Sequence, residues 1–335
     1  VAAGAEGILA WIGDQVAALL NEVGRDKVHG IGVGFGGPID SRAGTVLVSH
    51  QIEGWNGFAL RAWFEERFGL PTTLLNDSSA AGWAEYRLGA GVGTRNFVYN
   101  NIGSGIGGAL VVDGKLQDGQ GLGAGEIGHL LVPDWTSAAP GAAAKLENLC
   151  SGWAIERRIR QWKSLPTWSA LARLSSGDPE RLTCALLGEA ARQGDPMAVS
   201  ELERVAQGIG IALANVVTLF CPERIALGGG VALIGEPLIA PIRKYAQALA
   251  FGPFRDQFEV VPCALGEAVV LSGVLLLTAA RAHFRDPTDD NFFFTADDHE
   301  ELLARTKSVG ESSTPSGIAM VVRACLRAGL LLGDE

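Results

Sequence analysis

Cysteine is sparse: Cys150, Cys184, Cys221, Cys263 and Cys325 are the only five in 335 residues, and none stands in Cys-x-x-Cys spacing. That pattern points away from a disulfide framework or a cysteine-built metal site and towards a reducing, cytoplasmic setting. Positive charge is also short, with 27 Lys and Arg against 37 Asp and Glu, a net charge of −10 and a pI near 5.1. A nucleic-acid surface needs clustered Lys and Arg, so no nucleic-acid partner is expected. Phosphate can still be held locally by backbone N–H groups and Mg²⁺. No uninterrupted apolar run reaches the roughly 18 residues of a membrane helix, so no membrane partner is expected either. No repeat of solenoid period is present. What the chain has in quantity is glycine, 45 residues, within a 47% hydrophobic composition. That is a globular profile, long enough for two cores.

Periodicity supplies the element order. Ile8, Ile12, Val16, Leu19 and Val23 share one helical face, so residues 6–23 are expected to form an amphipathic helix. Strands are expected over 28–35, 45–48 and 72–75, with a helix over 58–68 stopped at Leu70-Pro71. Asn76-Asp77-Ser78 reads as a helix-capping sequence ahead of a helix over 80–88. Two strands, 97–102 and 108–112, flank a glycine-rich turn, and Asp113-Gly114 begins another. Residues 133–144 read as a loop, 146–217 as mainly helical, and 224–227 as a strand. A helix over 237–249, a strand over 258–261 and a helix over 268–282 follow. Strands alternating with helices imply an α/β fold around a largely buried mixed sheet.

Four places carry candidate chemistry. Asp77 follows Leu74-Leu75-Asn76 at a strand-to-helix junction, where open α/β sheets bind ligands. Its carboxylate could accept a hydroxyl proton while Asn76 orients the same substrate; either residue could equally be only a helix cap. Asn101-Ile102-Gly103-Ser104-Gly105-Ile106-Gly107-Gly108 is a hairpin whose N–H groups could cradle an anion, or an ordinary glycine turn. A strand follows it, so it is not a dinucleotide fingerprint, and it lacks a Gly-Lys-Ser/Thr ending. Glu126 and His129, in Gly-Glu-Ile-Gly-His, together with Glu147 could hold sugar hydroxyls, though each alone is more often a surface or structural residue. Gly228-Gly229-Gly230 could turn against a nucleotide or simply form a loop.

The order of these motifs resembles the ROK family (repressors, uncharacterised frames and sugar kinases). The match opens at Gly32-Val33-Gly34-Phe35-Gly36-Gly37-Pro38-Ile39-Asp40 and runs through Asn76-Asp77, the 103–108 hairpin, Gly125 to His129, Leu146-Glu147 before Ser151-Gly152, and Leu227 to Gly230. The resemblance extends to about Phe284. It implies a two-lobe actin/hexokinase-like (ribonuclease H-like) α/β ATPase fold, with a first lobe over 1–100 and a second over 101–284. Between the lobes, by the same resemblance, ATP, Mg²⁺ and a hexose would bind. Asp77 would be the general base; Asn76, Glu126, His129 and Glu147 would hold hydroxyls, with Gly37 and Pro38 lining the same pocket. Gly103, Ser104, Gly105 and Gly107 would cradle the phosphates, and Gly228, Gly229 and Gly230 would flank the adenosine. A homodimer is also implied. Glucose is the first choice of hexose, ahead of N-acetylmannosamine or fructose. A sugar-sensing repressor of the same family and a non-catalytic sugar-binding remnant are the alternatives.

Three departures qualify the resemblance. Many ROK proteins hold zinc through the Gly-His histidine and a cysteine-rich loop, but residues 133–145 contain no cysteine, so no zinc is expected. The family's opening Asp-x-Gly-Gly-Thr phosphate hairpin is absent, which implies an N-terminally incomplete first lobe. Residues 285–335, with Phe292 to Leu303 and Thr314-Pro315-Ser316-Gly317, instead resemble part of the helical toroid of thioredoxin-domain proteins related to spermatogenesis-associated proteins. They read as an accessory tail.

Overall fold

A computed structural model describes residues 4–49, 52–162 and 164–284. The expected tail over 285–335 lies outside the described residues. Contacts divide the chain into two compact units, one comprising residues 1–80, 120–122 and 270 onward, the other 81–119 and 123–269.

The first unit opens with α1 (Gly4–Val23), whose stripe of Leu9 and Leu20, flanked by Ile8, Ile12 and Val16, packs into an apolar cluster with Trp55, Phe64 and Phe68. The strand β1 (Ile31–Phe35) follows, then the short pair β2 (Ile39–Asp40) and β3 (Thr45–Val46), and α2 (Leu60–Phe68). Next comes β4 (Thr72–Asn76), which lies parallel to β1 with Phe35 opposite Asn76. The first four residues of β4 are buried, as expected of a strand covered on both faces. Helix α3 (Asp77–Leu88) begins directly after it. The capping sequence therefore acts one turn earlier than its expected helix, because Asn76 already satisfies the first free N–H groups.

The second unit is built on a mixed sheet in the order β11-β10-β5-β6-β7. Here β5 (Phe97–Ile102), β6 (Ile106–Val112) and β7 (Lys115–Leu116) form an antiparallel meander. The hairpin turn is tighter than expected, leaving only residues 103–105 outside the strands. Residues 133–144 are not wholly a loop, since β8 (Leu131–Pro133) and β9 (Ala143–Lys145) pair antiparallel and Asp134 N–H closes onto Ala142 O at 2.8 Å. Three alanines in a row give no strand-like alternation, which is why the pairing is invisible in sequence.

Helices α4 (Leu146–Cys150), α5 (Gly152–Arg160), α6 (Ala170–Leu174), α7 (Cys184–Arg192) and α8 (Pro196–Phe220) come next. Asp195 caps α8 by accepting N–H groups of Met197 and Ala198 at 2.9 and 3.3 Å, and Pro196 occupies the first turn, where no N–H is needed. By length and composition α8 could cross a membrane, yet Leu202, Val205, Ile209, Leu213 and Val217 put it at the centre of the core. The chain continues through β10 (Arg224–Gly228) and α9 (Glu236–Leu249), which packs along α8. It then forms β11 (Glu259–Pro262), and α10 (Val269–Phe284) returns to the first unit. Both β5 and β11 flank β10 in parallel.

Glu85 on α3 is fully buried, and its carboxylate accepts the backbone N–H groups of Ala90 (2.8 Å), Ala264 (3.0 Å) and Leu265 (2.9 Å). It is the splice between the end of α3 and the turn after β11. Removing it takes the acceptor from three donors, those of Ala90 and Leu265 partly buried and that of Ala264 in an exposed residue, so the full cost of about 1–3 kcal/mol per buried donor is only partly incurred. Glu85→Ala should therefore lower unfolding free energy by about 3 kcal/mol, measured by urea denaturation; a change below about 1 kcal/mol would show that the turn finds other acceptors.

Candidate active site

In the first unit, the chain leaves β4 and enters α3 through Asn76 and Asp77. The Asn76 carboxamide is committed on both sides: Oδ1 accepts Ser78 N–H at 3.0 Å and Ser79 N–H at 3.1 Å, while Nδ2 donates to Gly37 O at 3.0 Å. The same residue thus caps the helix and ties it to the Gly36-Gly37-Pro38 turn. Pro38 O in turn accepts Leu47 N–H at 3.0 Å. Asp77 is half-buried beside that turn, and a Cβ at Gly36 would stand 3.4 Å from its Oδ2. Its Oδ1 accepts Ser78 N–H at 2.7 Å. Burial raises the Asp77 pKa above the ordinary carboxyl value, with hydrogen bonds from Ser78 opposing in part. A desolvated carboxylate is a better proton acceptor than a solvated one. Gly37, Pro38, Asn76 and Asp77, separated by some forty positions in sequence, are thereby brought together.

In the second unit, the hairpin between β5 and β6 is organised by Glu147, half-buried on α4. Its Oε2 accepts Ile106 N–H at 2.8 Å. A Cβ at Gly105 would lie 2.7 Å from that oxygen, so only glycine admits this approach. Gly103 donates its N–H to Gly105 O at 2.9 Å and accepts Gly152 N–H at 2.7 Å. Among the described residues, the Ser104 and Gly105 N–H groups have no intramolecular acceptor. Two free amides at a turn fit an anionic phosphate oxygen. Gly107 lies in β6, paired with Asn101.

Gly228 ends β10 opposite Asn101, and Gly229, at φ +86°, crowds Asn101 Oδ1 and Ile102 O so closely that no side chain fits. Val231 N–H bonds Ile102 O at 2.9 Å. The Gly228–Gly230 turn is therefore fastened to the base of the same hairpin. Glu126 and His129, both exposed, bracket a short 3₁₀ turn over Ile127–His129, with His129 N–H on Glu126 O at 3.0 Å. This turn packs on β6 and α4: a Cβ at Gly128 would strike Ile106, and Leu146 N–H bonds Leu130 O at 2.8 Å. Backbone contacts thus gather Glu126, His129, Glu147 and both glycine turns into one neighbourhood.

Asn100 escaped the sequence reading. It is fully buried in β5 on the same face as Val98 and Ile102, and its Nδ2 donates to Gly107 O at 2.9 Å, bracing the two hairpin arms. A polar residue on an otherwise apolar strand face was the available signal.

The residues of 133–145 do not fit a structural zinc site. Asp134 is their sole metal-ligating type, and its Oδ1 is taken by the Thr136 N–H (2.8 Å) and hydroxyl (2.6 Å). Four ligands are required. Among the described residues no group of three or more His, Cys, Asp or Glu could hold a metal. Mg²⁺ bound mainly by nucleotide phosphates and water needs no such cage.

The model of the ROK family matches residues 3–281. The chain belongs to the ROK family. It is 33% identical over 251 residues to a glucokinase of Streptomyces coelicolor, covering 74% of this chain and 79% of the relative. It is 27% identical over 225 residues to a xylose repressor of Caldicellulosiruptor bescii, covering 67% of this chain and 56% of the repressor. Among solved structures, a ROK family glucokinase from Streptomyces griseus, in complex with glucose and AMPPNP, superposes with a TM-score of 0.68 at 34% identity, over 81% of this chain and 87% of that one. The fold is the actin/hexokinase-like α/β fold of the ROK sugar kinases.

Burial of Asp77 has a thermodynamic signature. A carboxyl whose folded pKa exceeds its unfolded value subtracts from stability above the folded pKa, and that cost vanishes as pH falls below the unfolded one. Asp77→Asn, which keeps an oxygen for Ser78 and carries no charge, should raise the melting temperature by about 1–3 °C at neutral pH. The gain should shrink towards about pH 4. Calorimetry at the two pH values checks this; an Asn variant that melts lower at neutral pH would show that the Ser78 bonds outweigh burial.

Proposed function

We propose that this chain transfers the γ-phosphoryl group of ATP to a hexose, glucose foremost, giving the hexose 6-phosphate and ADP with Asp77 as general base. The observation that carries the reading is the half-buried Asp77 carboxylate at the end of β4, its pKa raised by burial, held beside the Gly36-Gly37-Pro38 turn by Asn76. The glucokinase relatives, one of them solved with glucose and a nucleotide analogue, support the same substrate pair.

In this reaction Asp77 takes the proton of the acceptor hydroxyl as its oxygen bonds the γ-phosphorus. The bond from that phosphorus to the bridging oxygen breaks, ADP leaves, and the proton rests on Asp77. Phosphoryl transfer demands mainly positioning and charge stabilisation, which suits one base and a cradle of backbone donors. Asn76, Glu126, His129 and Glu147 hold the sugar hydroxyls, with Gly37 and Pro38 lining the sugar. Gly103, Ser104, Gly105 and Gly107 present the phosphate cradle, and Gly228, Gly229 and Gly230 flank the adenosine. Mg²⁺ carried by the nucleotide supplies charge neutralisation on the phosphates.

A sugar-sensing repressor is the second reading, favoured by the similarity to a xylose repressor. Turnover separates the two. A coupled ADP-release assay over a panel of hexoses should show glucose-dependent turnover, and Asp77→Asn should lower kcat by about 10³-fold or more while glucose binding by calorimetry changes little. No turnover with any hexose, alongside retained sugar binding, would favour the repressor or a binding remnant. The raised Asp77 pKa gives a separate expectation: kcat/KM should fall on the acid side through an apparent pKa above the ordinary carboxyl value. An acid limb at or below that ordinary value would remove Asp77 from the role of base.

A further inference from the structure

The β8–β9 hairpin stands between two proposed hexose ligands. It leaves directly from His129 and returns, through Lys145, to Leu146 and Glu147. Its own sequence offers little to hold it in place. Residues 136–141 are exposed, the returning strand is two alanines and Lys145, and the side chains the hairpin turns inward are Val132, which is buried, Trp135 and the small Ala144.

Trp135 is held without a hydrogen bond. Its indole Nε1 is buried with no acceptor, so packing and charge alone fix the ring. The far edge of the ring occupies space that exists because residue 208 of α8 is glycine. A Cβ there would stand 3.0 Å from Trp135 Cζ3, 3.1 Å from Cη2 and 3.0 Å from Cys150 Sγ. Over the indole lies the Arg158 guanidinium, its central carbon 5.7 Å from the ring centroid. That guanidinium is itself immobilised, with Nε on Glu201 Oε1 at 2.7 Å and Nη1 on Leu149 O at 2.9 Å. Glu201 is 3% exposed. A cation held over an aromatic face and partly withdrawn from water, as Arg158 is, attracts it more strongly than one at an open surface. The Arg158 contacts also run to Leu149 of α4, two residues beyond Glu147.

We infer that Trp135 is a positioning residue. Its indole, seated against Gly208 under the Arg158–Glu201 pair, fixes the β8–β9 hairpin, and through it His129, without a metal ion. The site's hexose-binding half is thus set by an aromatic clamp, in the very segment whose donors do not fit zinc. The effect on substrate rests on the hexose-kinase reading; the effect on the hairpin does not.

The test compares Trp135→Ala, Trp135→Phe and Gly208→Ala with the wild-type chain by two measurements. Hydrogen–deuterium exchange reads the hairpin directly: Trp135→Ala should speed exchange of the amides of 131–145 about tenfold or more, and Trp135→Phe should restore most of the protection. Kinetics read the positioning: Trp135→Ala should raise the KM for hexose about tenfold while the KM for ATP stays within about twofold. Gly208→Ala, which pushes a methyl group at the ring, should show the same asymmetry at smaller size. Treating wild-type protein with 1,10-phenanthroline should leave exchange over 131–145 unchanged.

Unaltered exchange in Trp135→Ala, equal rises in both KM values, or a hairpin loosened by the chelator would each overturn the clamp. If Trp135→Ala does not fold, Gly208→Ala carries the comparison, and wild-type exchange and wild-type KM values in it would overturn the clamp equally. Absence of hexose turnover in the wild type would defeat the kinase reading, while the exchange measurements still decide the clamp.

Discussion

Ile106 gives its backbone N–H to a carboxylate oxygen of Glu147, and the arrangement of the second unit's candidate residues refers back to that bond. A hydrogen bond to a charged acceptor is roughly twice as strong as one between neutral groups. It fixes where β6 begins, and so where the turn over 103–105 must close. That closure leaves the Ser104 and Gly105 amides unspent while Gly103 reaches Gly152 at the start of α5 and Ile102 reaches Val231. Three separate segments are thereby indexed to one hairpin. Glycine at 105 is what lets that carboxylate stand where it does, since a methyl group there would push the Glu147 carboxylate aside.

The first unit works under a different constraint. Asp77 is held where its charge is least welcome, and Ser78, through its N–H and its hydroxyl, moderates that cost without removing it. A fully solvated carboxylate at a helix start would be easier to ionise and correspondingly weaker as a base. Stability and reactivity are set against each other at a single residue, a common condition of active sites. The stability lost there is small beside what the apolar cluster around Trp55, Phe64 and Phe68 supplies.

Much of this was legible in the chain itself. The alternation of strands and helices, the hairpin of glycines and the strand-to-helix junction at Asn76-Asp77 carry strong local signals. Each expected element stands within a few residues of its place, whereas the β8–β9 pairing reads as loop in the sequence. What escaped has a shared physical character. Glu85 looks like any helical surface acid, and only the fold reveals three amides converging on it. Asn100 and Asn101 are adjacent and alike in sequence, yet one braces the core side of the hairpin and the other faces the Gly229 turn. Trp135 sits in a segment that reads as loop, and the residue whose small size makes room for its ring, Gly208, is seventy-three positions away. Long-range complementarity of this kind leaves no periodic trace.

Asn76 illustrates how a structural bond can dictate the direction of a chemical one. A carboxamide has four hydrogen-bonding valences, two accepting and two donating. Both lone pairs of Oδ1 are engaged, by Ser79 and by a Ser78 N–H that it shares with Asp77 Oδ1, and one amide hydrogen is given to Gly37 O. A single N–H is left, so Asn76 can meet a substrate hydroxyl only as a donor to its oxygen. A hydroxyl oxygen engaged in that way must send its own hydrogen elsewhere, and the next residue in the chain is the carboxylate that would receive it. In the proposed reaction the helix cap, by occupying one residue's accepting capacity, would impose a one-way polarity on the proton's route to its neighbour.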